Sequence, residues 1–286
     1  MIGCRTAADI ERIRIAGPPE TEGLWEPNGF LEGYRRVLEK YVAKTRNNEI
    51  HYARLSADKE ARALLDGFLR GAGRRAVADA FFEASGHSQN EQTFYLNVYN
   101  ACVLRGVLEF YPFKKLSELT GDFHRECLFF VRGEWLSLSQ IGRRCGVEGD
   151  WRVAFALGGP SRSDPAIAPV LYTAEHLQGQ LDEAVKNYIG SCAGLRIDHA
   201  RRRVLLGKLL YERKVFFTSY YEGRYNIKGV SVISALAYWA WPRTQALLAD
   251  LVGYKVRPMK RDDRLRDAAV EQEGGTAMDS LPCGIK

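Results

Sequence analysis

The sequence predicts one α+β domain, with helices packed around a small, mainly antiparallel sheet and irregular extensions at both ends. Three observations carry this. Apolar residues recur at helical spacing from Leu31 to Tyr111, two short hairpin patterns interrupt that period further on, and no repeat or Gly-rich linker divides the chain. Its 286 residues are 46% hydrophobic and 27% charged, enough to bury a core without a disulfide or metal staple.

Residues 1–27 form an irregular lead-in, because Gly17-Pro18-Pro19 interrupts any helix. A first helix runs through Leu31, Tyr34, Val37-Leu38 and Tyr41-Val42. A second begins at Ser56-x-x-Lys59 and ends at Gly71-x-Gly73; a third spans Ala76 to Ala84. From Asn90 to Tyr111 the chain is apolar on several faces, the mark of a central buried helix, which Pro112 stops. Cys127–Val131 and Trp135–Leu138 around Arg132-Gly133-Glu134 read as a hairpin, and Arg152–Leu157 as a buried strand. A loop, Gly158-Gly159-Pro160-Ser161-Arg162-Ser163-Asp164-Pro165, follows. Thr173-x-x-His176 opens a helix through Ile189, and Leu195–Asp198 with Val204–Leu206 make a second hairpin. Val230–Leu251 is expected as a long apolar helix with a bend at Pro242, and Tyr254–Arg257 as a last strand. The domain boundaries are therefore 28–260, with 261–286 a polar tail whose sparse apolar groups do not offset the entropy of ordering it.

Several function classes are excluded or weakened. No apolar run reaches the length of a membrane span, and the first residues lack the apolar segment of a secretory leader, so an intracellular, cytoplasmic protein is expected. The six cysteines contain no C-x-x-C pair, and His124-x-x-Cys127 has no second pair to complete a zinc site; no metal or cofactor is expected, and the thiols read as free and buried. The net charge is +6, but its arginines come as short clusters such as Arg201-Arg202-Arg203, which permit only unspecific contact with nucleic acid.

Asn97, Tyr99 and Asn100 stand out because polar groups in a buried helix must find hydrogen-bond partners, and the Asn97–Asn100 spacing sets both amides on one face. Their segment, Phe94-Tyr95-Leu96-Asn97-Val98-Tyr99-Asn100-Ala101, resembles the Phe-Trp-x-Asn-x-Tyr-Asn-Ala signature of the domain of unknown function 547 family. The resemblance extends in order through Tyr111-Pro112, Leu136-Ser137-Leu138, Phe155-Ala156-Leu157, Ser161-Arg162-Ser163 and Tyr172-Thr173-Ala174-Glu175. The family pattern also carries two histidines, at positions filled here by Arg143 and Ala154, and two cysteines, at Gly159 and Asp164. The resemblance therefore implies a thiol site in the family whose nucleophile and bases this chain lacks. An Arg143–Asp164 ion pair is expected to fill the vacated space. The chain is accordingly expected to be a pseudoenzyme-like scaffold or binding subunit that engages protein partners in a larger assembly. The rival is a hydrolase or thiol enzyme with relocated chemistry, for which Ser161 or Ser163, His51 or His176, and Asp164 or Asp182 supply an inventory without a Gly-x-Ser-x-Gly elbow.

Overall fold

The computed structural model describes residues 13–15, 27–43, 48–83, 88–119, 121–251 and 253–268. Its first half is helical. After a short strand β1 (Ile13–Ile15) come α1 (Pro27–Tyr41), α2 (Tyr52–Ala57), α3 (Lys59–Gly73), α4 (Arg75–Glu83) and α5 (Ser88–Phe110). Asp58 starts α3 by accepting from the Ala61 backbone N–H at 3.0 Å, satisfying one of the donors a helix start leaves open. Along α5, Leu96, Val98, Ala101, Val103, Leu104 and Val107 are all fully buried, which explains why its sequence shows no single apolar face. A Cβ on Gly106 would lie 2.9 Å from the Phe123 ring, so only glycine lets that ring approach α5 so closely.

One turn of helix, α6 (Phe123–Glu126), leads into the hairpin β2 (Cys127–Val131) and β3 (Glu134–Ser137). Ser137 and Gln140 then form a reciprocal capping box that starts α7 (Leu138–Arg144). The second half contains α8 (Val153–Ala156), α9 (Leu177–Gly190), the hairpin β4 (Leu195–Asp198) and β5 (Arg203–Leu206), then α10 (Lys208–Tyr225), α11 (Val232–Trp239), α12 (Pro242–Ala249) and β6 (Lys255–Pro258).

The sheet content is divided into two three-stranded sheets, each a hairpin with a parallel edge strand. β1 pairs with β2, Ile13 opposite Cys127, and β6 pairs with β5, Val256 opposite Val204. Each sheet belongs to its own core cluster. The larger gathers α1 to α5, the first sheet and α7; the smaller gathers Phe155, α9 to α12 and the second sheet.

Five expectations need correction. Arg152–Leu157 contains a short helix, not a strand, since a six-residue apolar run does not distinguish the two. The apolar stretch 230–251 is two helices, α11 and α12, because Ala240 and Trp241 are extended and Pro242 opens a new helix. The lead-in contributes β1 and the first residue of α1, while 1–12 and 16–26 lie outside the described set. The polar tail does not begin at 261: Leu265, Arg266 and Asp267 are buried, so the domain reaches at least to 267. The remainder of the expected tail, 269–286, lies outside the described residues. Among the described helices none is long and apolar enough to cross a membrane. Cys102, Cys127 and Cys145 are free and buried, whereas Cys192 is disulfide-bonded, contrary to the expectation of free thiols throughout.

Candidate functional site

The two amides of α5 organise the loop that the sequence singles out. Asn100 accepts from the Gly158 N–H at 2.9 Å and donates to the Ala156 carbonyl at 3.1 Å. Asn97 does the same for one residue, accepting from the Tyr172 N–H at 3.0 Å and donating to its carbonyl at 2.8 Å. An amide carries a donor and an acceptor on one rigid plane, so each clamps a backbone segment that has no sheet partner. Tyr99 is buried too, but no hydrogen bond joins it to a described backbone group. Its ring sits against Gly142, and burial raises its phenol pKa, assisted by the negative charge of Asp164.

Asp164 is the electrostatic centre of the loop. Its Oδ2 accepts from Ser161 twice, from the N–H at 2.9 Å and from the hydroxyl at 2.7 Å, while Oδ1 lies 3.8 Å from the Arg261 guanidinium. His124 also faces this charge. Burial lowers its pKa below 6.5, with Asp164 and Asp122 opposing the shift, so the imidazole is held neutral around pH 7.

The segment 262–268 then straps the loop down. Arg266 donates from Nη2 to the carbonyls of Ser161 at 3.3 Å, Arg162 at 3.2 Å and Asp164 at 2.6 Å, and its N–H donates to Pro160 at 2.9 Å. Ser163 Oγ accepts from the Asp262 N–H at 2.6 Å. On its other side the strap pairs with Ile50 and with Lys114–Leu116, and Asp267 accepts from the Tyr111 hydroxyl at 2.9 Å. Ser161 has no exposed surface.

Of the positions expected to converge, Gly159 and Asp164 do: a Cβ on Gly159 would lie 2.4 Å from the Asp164 Cβ, so no side chain fits there as the loop stands. The expected Arg143–Asp164 pair is absent among the described residues. Arg143 is exposed at the end of α7, and the loop's cation is Arg261. Ala154 sits on the short α8 and is half-buried. Nor does the Ser-His-Asp inventory assemble. Ser161 donates directly to Asp164, His176 Nδ1 contacts Thr173 Oγ1 at 3.1 Å, and Asp182 pairs with Arg152 at 2.6 Å. Sequence reasoning missed His124, Arg261 and Arg266. His124 had been weighed only as half of a metal pair, and the arginines lay in what read as a solvated tail.

Residues 84–189 match the model of a family described as a protein of unknown function, DUF547. Over this stretch, 106 of its 286 residues, the chain is similar to the DUF547 family. The stretch runs from the start of α5 through the loop to α9, so the DUF547 match includes both amides and Asp164 but neither the strap nor α10 to α12. No curated protein and no solved structure matches the chain.

The chemistry open to the loop is narrow. Burial pushes the Cys127 thiol up to about 12 and raises those of Cys102 and Cys145 further, so the free cysteines are protonated at neutral pH. Among the described residues no group of three or more His, Cys, Asp or Glu side chains is placed to hold a metal ion.

Proposed function

We propose that this protein is a non-catalytic binding subunit of a larger assembly. The observation that carries the reading is the filled loop. At the positions of the family's cysteines, Gly159 and Asp164 are in contact, and Arg266 occupies the carbonyls above them. A nucleophile needs an approach path, and Ser161, fully buried with its hydroxyl held by the Asp164 carboxylate at 2.7 Å, has none. The polar groups are consumed in holding backbone to backbone, which is a structural use of a former site.

One observation favours the rival reading of relocated chemistry: burial lowers the His124 pKa against the opposing charge of Asp164, which keeps the imidazole in its base form at neutral pH. Two measurements separate them. The native chain, treated with a fluorophosphonate and with iodoacetamide, is expected to show no labelling above background at Ser161, Ser163, Cys102, Cys127 or Cys145, and size exclusion of native extract is expected to place it in a complex. Stoichiometric labelling of any of these residues, or elution solely as a monomer, overturns the proposal.

A further inference from the structure

Away from the loop, the second core cluster carries a groove of about 800 Å³ between α10, α11, α12 and β6. Its walls include Tyr221, Tyr225, Val232, Ala237, Tyr238 and Tyr254, and no charged side chain lines it among the described residues. Beside it, α10 carries large apolar side chains on its outer side as well as its inner one. Leu210 and Phe217 are buried, yet Val215 is 64% and Phe216 56% exposed, and Tyr220, Tyr225 and Ile227 follow on the solvent side. Five of the seven large apolar side chains left exposed among the described residues are therefore on α10 and the turn after it. Large apolar side chains clustered on the solvent side of one helix mark a contact surface.

Charge indicates what packs there. Residues 201–260 hold 12 Lys and Arg against 3 Asp and Glu, whereas the rest of the chain holds 29 against 32. The whole positive balance of the protein thus resides in the segment that builds the groove. Around its edges, the Arg202 guanidinium lies 5.1 Å over the Tyr254 ring, Arg224 stands beside Tyr225 and Tyr238, and Lys255, Arg257 and Lys228 are exposed. Of the three acids, Glu222 already accepts from the N–H groups of Gly229 and Val230, and Glu212 pairs with Lys208.

We propose that this groove binds an acidic segment of a partner protein, with large apolar side chains seated between α10 and α12 and carboxylates meeting the basic rim. The shape selects a peptide: a concave floor of Val232, Ile233, Leu248 and Leu251 receives protruding side chains, while a membrane surface meets convex ones and stacked bases require flat aromatic platforms. The proposal deepens the binding-subunit reading by naming the surface and the partner's chemistry.

The test is selection of phage-displayed random peptides, each about a dozen residues or three helical turns, on the full chain. Enriched sequences are expected to be rich in Asp and Glu around two or more large apolar residues. A synthetic consensus peptide is expected to bind less well as salt rises, and about tenfold less well to Arg224→Glu, a difference of about 1.4 kcal/mol. Ala237→Trp, which fills the floor, is expected to abolish capture; Arg224→Glu lies on the surface and keeps the test valid if the filled variant does not fold. Enrichment without acidic bias, no enrichment, or unchanged affinity for Arg224→Glu overturns the proposal. So does Arg224-dependent binding of phosphatidylserine vesicles or polyuridylate without any peptide capture. Covalent labelling at the loop would sink the non-catalytic reading and leave a positive peptide result standing, so the two failures are distinguishable.

Discussion

In the larger cluster the polar groups are inside and satisfied: Asn97, Asn100 and Arg266 are buried and bonded to backbone from a distant part of the chain, and the buried Ser161 hydroxyl is bonded to the Asp164 carboxylate. Beside the smaller cluster large apolar groups lie outside, Val215 and Phe216 facing solvent on α10. The two arrangements have opposite implications. Buried polar groups that meet the protein's own backbone serve its fold, however much their residue types resemble a reactive site. Large apolar groups left exposed together on one helix mark a surface for contact.

The comparison breaks most readily at the strap. Arg266→Leu removes a guanidinium from one buried and two partly buried carbonyls, and each stranded group costs about 1–3 kcal/mol, so a loss of about 3 kcal/mol or more is expected in urea unfolding. A loss below about 1 kcal/mol would make the strap peripheral and reopen the loop as a site. Asn100→Leu strands two backbone groups, Gly158 N–H and Ala156 C=O, with an expected cost of about 2–3 kcal/mol. An unchanged melting temperature with loss of binding or of any activity would reassign that amide to function.

A smaller effect comes from pH. His124 has a lower pKa folded than unfolded, so the unfolded chain takes up the proton first as pH falls. Its contribution is complete above pH 6.5 and is lost progressively below it. Urea midpoints measured across this range should fall less steeply for His124→Gln than for the parent; parallel curves would remove His124 from the buried side of the loop. The smallest effect should be that of Phe216→Ser, within about 0.5 kcal/mol of the parent, since the ring already lies in solvent. A loss of about 2 kcal/mol, the range expected for truncating a core residue, would show instead that α10 buries this face within the fold.

The first cluster was legible because its signals are local. The helical period through Leu31 and Tyr34, the amides of α5 and the Arg132-Gly133 turn each announce themselves within a few residues. Arg152–Leu157 was misread because a run of six apolar residues has no period long enough to separate helix from strand. The strap was illegible for a different reason. Asp262, Asp263 and Arg264 have the composition of a solvated tail, and what orders them is backbone pairing with residues remote in sequence, which composition does not encode. Arg143 was paired with the wrong site by alignment to a family position alone; direction of the side chain is not a property of sequence spacing. The groove's apolar lining was visible as a long hydrophobic stretch, but the split at Pro242 that opens it was not.

Arg266 follows Ser161 by 105 residues, and this separation sets an order of events during synthesis. The loop and the helix that clamps it are made early, and the segment that closes over them emerges only after the whole second cluster has been translated. Until then the nascent protein presents the carbonyls of 161–164 without their guanidinium. Closing so long a span is slow compared with forming the local helices around it. The last step of maturation is therefore a latch: the loop is written well before the segment that finishes it.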